Sequence, residues 1–288
     1  GRTNMLSVNS NYSSQFAANA ARNTQNLMDK SVERLSTGMR INSAKDDAAG
    51  LAISMRLNAE IQGLAMASRN AADGQSMIDT AEGALQETTS LLLRMRELAV
   101  QASNGTLIEW GDTVSLDREF QSLEAEITRI AETTSWGGLN LLDGSNFSNM
   151  GIYIQVGTRS DSNIFNPNIM IVSIPEMSAT AATINIGAFS IGRQSDTPSA
   201  ITGLDGALSQ VNWIRGRLGA ASNRLDSTIA NLDQIRVNLS TSKGRIEDAD
   251  FAVETGNLAK SQILQQAATA MLAQANAIKS SILALVQL

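Results

Sequence analysis

All three prolines of the chain, Pro167, Pro175 and Pro198, fall inside one window of 32 residues. Proline lacks a backbone donor and clashes with the preceding helical turn, so 1–166 and 199–288 are free of the strongest helix breaker. The chain therefore reads as helical, then irregular, then helical. From Leu57, the positions Ile61, Leu64, Ser68, Ala71, Gln75, Ile78, Ala81, Leu85, Thr88, Leu92, Met95, Ala99 and Ala102 step by threes and fours and are mostly apolar. That is a heptad stripe with one skip. Ser43 with Asp46 three residues on predicts its start as a capping box, and Asn104-Gly105 predicts a left-handed stop. A helix from about 44 to 103 would run roughly 90 Å, longer than a compact globule of this size allows.

The second half answers with Leu204, Leu208, Val211, Leu218, Leu225, Ile229, Leu232 and Leu239 on one register, which Thr197-Pro198 opens as N-cap and first helical residue. A shorter helix is expected from about Ser115 to Thr134, with Leu116, Phe120, Leu123, Ile127 and Ile130 inward. The three can form an antiparallel or mixed coiled-coil bundle. Between them, Gly137-Gly138, Asp143-Gly144 and the alternation in Ile152–Val156 and Ile169–Val172 read as turns and short strands. The Ser, Asn and Gly content of this region predicts a solvent-facing β-rich tip.

The chain ends are unusual. Residues 255–288 carry only Lys260 and Lys279 as charges, and Leu264, Ala268, Met271, Ala275, Ile278, Ile282 and Leu285 form a continuous seam. Phe16, Ala20, Leu27, Met28, Val32, Leu35 and Met39 make a weaker one. Two such helices can pair, yet two thin helices bury little surface against their ordering entropy. The ends are expected to be largely disordered in a free monomer and completed by neighbouring copies, which makes an open helical polymer the default architecture.

Composition narrows the chemistry. With no Cys and no His there are no disulfides, thiolate nucleophiles, Cys/His metal sites or Ser-His arrangements. A net charge of −6 works against capture of nucleic acid or anionic lipid. No apolar run reaches the length of a membrane span, and no basic-then-apolar leader opens the chain. Asp46-Asp47 point apart on a helix and cannot share a substrate atom. Glu247-Asp248-Ala249-Asp250 lacks the glycine and spacing of a calcium loop and reads as helix N-terminal charge. No enzyme, metal or cofactor is expected.

Residues 35–53, LSTGMRINSAKDDAAGLAI, resemble the N-terminal signature of the bacterial flagellins, and Arg96–Ala102 resembles their second motif. Arg245–Phe251, Ile263–Ala267 and Leu272–Asn276 are similar to their C-terminal motifs, in the same order. The resemblance implies a mainly α protein: a long antiparallel coiled-coil rod of paired N- and C-terminal helices with a small β-hairpin region, polymerising as a helical filament. It implies segments 1–44 and 249–288 as an inner terminal domain, 45–137 and 197–248 as a rod domain, and 138–196 as a hairpin and variable region, without large outer domains. It further implies a secreted, extracellular subunit for swimming motility, exported without a cleaved signal, whose partners are identical subunits, an export chaperone, the filament cap and hook-junction proteins.

Leu27, Val32, Leu35, Leu264, Met271, Ile278, Ile282 and Leu285 are the expected polymerisation interface. The resemblance also aligns Arg94 and Glu119, with Leu92 at a flanking apolar position, to residues through which some flagellins contact Toll-like receptor 5. By position alone Arg94, Arg96 and Glu97 read as a solvated face or a subunit contact. Two other readings stay open: a hook-filament junction protein, which usually carries Asp-Asp-Pro where this chain has Asp46-Asp47-Ala48, and a cell-surface binding protein using residues 138–196.

Overall fold

The computed structural model describes residues 11–106, 108, 111–145, 151–159 and 166–286, the side chains of 279–286 excepted. Its elements in chain order are α1 (Tyr12–Thr37), α2 (Ala48–Ala102), α3 (Asp112–Thr133), β1 (Ser135–Trp136), β2 (Leu139–Asn140), β3 (Ile152–Gln155), β4 (Ile169–Val172), α4 (Thr197–Glu247) and α5 (Phe251–Val286). They divide into two compact units, one between Glu60 and Asn238 and one from the residues on either side.

In the central unit the α2 stripe faces inward. Leu64, Ala71, Ile78, Ala81, Leu85, Thr88, Leu92, Met95, Ala99 and Ala102 are buried, while Ile61, Ser68 and Gln75 are half-buried. Phe120 and Ile127 of α3 and Leu204, Val211, Leu218 and Leu225 of α4 complete one core with them. Strands β1 and β2 pair around Gly137 and Gly138, whose φ values of 57° and 86° are those of the tight hairpin turn. Strands β3 and β4 pair antiparallel from Ile152 opposite Val172 to Gln155 opposite Ile169.

Residues 166–196 are not the solvent-facing tip that their composition suggests. Ile174, Met177, Ile184, Ile186 and Ile191 are buried in the core. Their backbone is tied to α3: Asp117 accepts from the Ile191 amide (2.8 Å) and the Ser190 hydroxyl (2.9 Å), and the Thr113 hydroxyl donates to the Gly192 carbonyl (2.9 Å). The Ser and Asn side chains serve turns while the widely spaced Ile and Met residues carry the burial.

Three helix ends differ from the sequence expectation. Helix α2 begins at Ala48, and Asp47, not Ser43, caps it by accepting from the Gly50 amide at 2.8 Å. Asp46 instead accepts from the Ser43 amide and hydroxyl and pairs with Lys30. Helix α2 closes with the Asn104 amide on the Gln101 carbonyl, a tightened last turn, and neither Asn104 nor Gly105 takes the left-handed conformation. At α4, Thr197 is already helical and its hydroxyl donates back to the Gln194 carbonyl, so it does not act as N-cap.

In the other unit, α1 and α5 pair antiparallel: Asn11 reaches the Ala275 carbonyl at one end, and Ser31 reaches Glu254 at the other. The terminal segments are thus paired helices here, where the sequence argument expects disorder. Asn11 caps α1 on the Ser14 amide, Gly38 ends it in the left-handed conformation, and Asp250 caps α5 on the amides of Ala252 and Val253. Between the helices, Met39 bridges Asp248, the Ala249 amide donates to the Gly38 carbonyl, and Ser54 donates to Glu247.

Candidate assembly interface

The seam between α1 and α5 is built from small and polar side chains. On α1 the buried positions are Ala17, Thr24 and Ser31, one heptad apart; on α5 they are Glu254, Ser261 and Ala268. Half-buried Ala21, Met28 and Leu35, and Leu258, Gln265 and Leu272, fill the alternate positions. The seam on α5 therefore runs through 254, 258, 261, 265, 268, 272 and 275. It shares Ala268 and Ala275 with the stripe expected from sequence, whose large residues lie beside it.

Those large residues stay in solvent. Leu27 is 57% exposed, Val32 49%, Leu264 44%, Met271 53% and Ile278 52%. Leu35 is half-buried against the seam, and the side chains of Ile282 and Leu285 lie outside the described residues. Sequence reasoning passed over Tyr12, Phe251, Val253 and Ile263, all exposed by more than half. Their signal was available: large apolar groups at outer positions of charge-poor helices. Tyr12, Phe16, Ala17, Met271, Ala275 and Ile278 line an open groove of about 680 Å³. Each exposed aliphatic side chain has on the order of 1 kcal/mol to gain from full burial. A pair of helices that spends its small residues inward and its large ones outward is completed by further helices.

Burial also settles charge. Glu254 is buried, and desolvation alone pushes its carboxyl up, but hydrogen bonds from Arg34, Ser31 and Asn257 outweigh it and hold it below the usual range. Lys30, 2.8 Å away, brings Asp46 down to about 2 with help from Ser43.

On the central unit, Arg94 donates to Glu119 (2.9 and 3.1 Å) and to Glu97 (3.1 Å), and its side chain is half exposed. The glutamates raise its pKa, Glu119 first. Arg96 pairs with Asp205 at 2.6 Å. Leu92 is fully buried in the core, so it cannot be the apolar contact beside Arg94; Leu93, 50% exposed, is the leucine that faces outward. The one-residue difference turns the side chain by about 100° on the helix. Trp136 packs against the core, and Trp110 lies outside the described residues.

Residues 8–147 match the family model of the bacterial flagellin N-terminal helical region, and residues 201–286 match that of the flagellin C-terminal helical region. A flagellin of Halalkalibacterium halodurans is 43% identical over 274 residues, covering 94% of this chain and 97% of that protein. The chain belongs to the bacterial flagellin family. The flagellin of Bacillus subtilis is 37% identical over 310 residues, with 98% and 100% covered. The crystal structure of Bacillus cereus flagellin matches with 32% identity and a TM-score of 0.48, covering 57% of this chain and 88% of that one.

This flagellin is a short form: its relative from Halalkalibacterium halodurans aligns almost end to end with it, leaving no room for large outer domains. It is a structural subunit of the flagellar filament, and flagellins polymerise with copies of themselves. No described helix is long and apolar enough to cross a membrane.

Proposed function

We propose that the outward residues of the terminal helix pair, Leu27, Val32, Leu35, Leu264, Met271 and Ile278, continued by Ile282 and Leu285, are where identical subunits join. The observation that carries this reading is the inversion of the seam, small side chains between α1 and α5 and large ones in solvent. Burying those stripes at roughly 25 cal/mol per Å² supplies the drive for polymerisation. The subunit is secreted by flagellar export and works outside the cell, with an export chaperone, the filament cap and hook-junction proteins as its partners. This rests on family membership.

The test replaces Leu264, Met271 and Ile278 together by Gln in the full chain. The variant is expected to keep the melting curve of the parent and to lose sedimentable polymer after seeding. Polymer formed at the parent's concentration removes the assignment.

The exposed Arg94–Glu119 pair supports a second reading, contact with Toll-like receptor 5, because both side chains stand in solvent within hydrogen-bond reach of one another. Replacing Arg94 by Ala is expected to weaken receptor binding at unchanged subunit stability.

A further inference from the structure

Helix α4 carries a face that its own unit leaves bare. Gly206, Ser209, Trp213, Gly216, Arg217 and Ala220 recur by threes and fours, away from the buried Leu204, Val211 and Leu218, and all six are exposed. Trp213 is the only large apolar residue among them, and 58% of it is open to solvent. The Arg217 guanidinium lies 4.7 Å from the centre of its ring and has no carboxylate partner among the described residues. Beside the indole is an open recess of about 350 Å³ lined by Ser173, Pro175, Thr183, Gln210 and Ile214. At Gly206 and Gly216 a Cβ would meet nothing within 4 Å. Alanine would serve an isolated helix better there, and glycine leaves backbone open to close approach.

We propose that this face of α4 is a contact between subunits, occupied by a second copy of this chain, with Trp213 as its anchor. Tryptophan and arginine beside a recess, on an otherwise flat face, are the side chains that dominate interface energies. The charge balance fits the same occupant. A chain of net charge −6 brings surplus carboxylates to an unpaired guanidinium. Carbohydrate fits less well, because Arg217 already covers one face of the indole on which a sugar would stack. The inference rests on self-assembly of the chain and is independent of which terminal residues drive it.

The test uses the full chain with Trp110 and Trp136 replaced by Phe, which leaves Trp213 as the sole indole. On polymerisation its emission is expected to move to shorter wavelength, and acrylamide quenching to fall about threefold or more as water leaves the contact. Trp213→Ala is expected to raise the critical concentration about tenfold with the subunit melt unchanged, and Ala220→Arg to do the same by steric block. Trp213 quenched equally in subunit and polymer, or Ala220→Arg assembling like the parent, overturns this proposal and leaves the terminal interface standing. Shielding of Trp213 by dextran but not by assembly would give the face to a carbohydrate. A parent that forms no polymer would overturn both readings.

Discussion

Glu254 on α5 and Arg34 on α1 meet at 2.7 Å across the terminal seam, with 8% and 23% of their side chains exposed. Ser31 donates to the other glutamate oxygen at 3.1 Å. The pair is the charged group of a seam otherwise made of small residues, and it joins positions 220 residues apart in sequence. Glu254→Leu would leave Arg34 partly buried without its counter-ion, destabilising the helix pair by about 2–3 kcal/mol. Hydrogen exchange of the α1 and α5 amides is expected to quicken about thirtyfold or more, with the central-unit amides unchanged.

Acid acts on the same unit. Asp46 and Glu254 both titrate below their ordinary range in the folded chain, Asp46 near 2 instead of 3.8. A depressed folded pKa contributes stability that is complete above the unfolded value and is lost as pH falls through the folded one. The melting temperature of the terminal helices should therefore hold from neutral pH to about 5, then decline as pH falls toward 2. Asp46→Asn is expected to flatten part of that decline, which circular dichroism melts across the pH series would read.

The long helices were legible because a stripe such as Leu85, Leu92 and Ala99 needs only local sequence to announce a buried face, and α2 and α4 bury nearly every position of theirs. The terminal seam was not. Ser31, Thr24 and Ser261 carry no apolar signal, while Leu264 and Met271 beside them imitate one, so periodicity selected the neighbouring stripe. The residues that stand in solvent could be named, but the ones that hold α1 to α5 could not, since the Arg34–Glu254 pair is a tertiary fact. The hidden core of residues 166–196 escaped for a related reason: Ile174, Ile186 and Ile191 are spaced by turns, without helix or strand period.

Leu92 and Leu93 provide a one-residue test of the core boundary. Leu92 is fully buried and Leu93 half exposed. Leu92→Ala is expected to destabilise the chain by about 3 kcal/mol through lost burial and a cavity. Leu93→Ala should stay within about 0.5 kcal/mol. Urea unfolding of the two variants distinguishes them, and equal midpoints would show that the register of α2 is displaced.

Glycines in the two long helices separate into those that packing requires and those it does not. A Cβ at Gly203 of α4 would run into the ring of Phe189, which packs partly buried against the core, whereas one at Gly83 of α2 would meet nothing within 4 Å. Gly203→Ala must displace the ring, at about 1–3 kcal/mol. Gly83→Ala is expected to raise stability by about 0.5–1 kcal/mol, because alanine restricts the unfolded chain and suits the helix at an open site. The opposite signs are the decisive feature in urea unfolding. A stabilised Gly203→Ala would mean that Phe189 does not lie against this turn of α4 in solution.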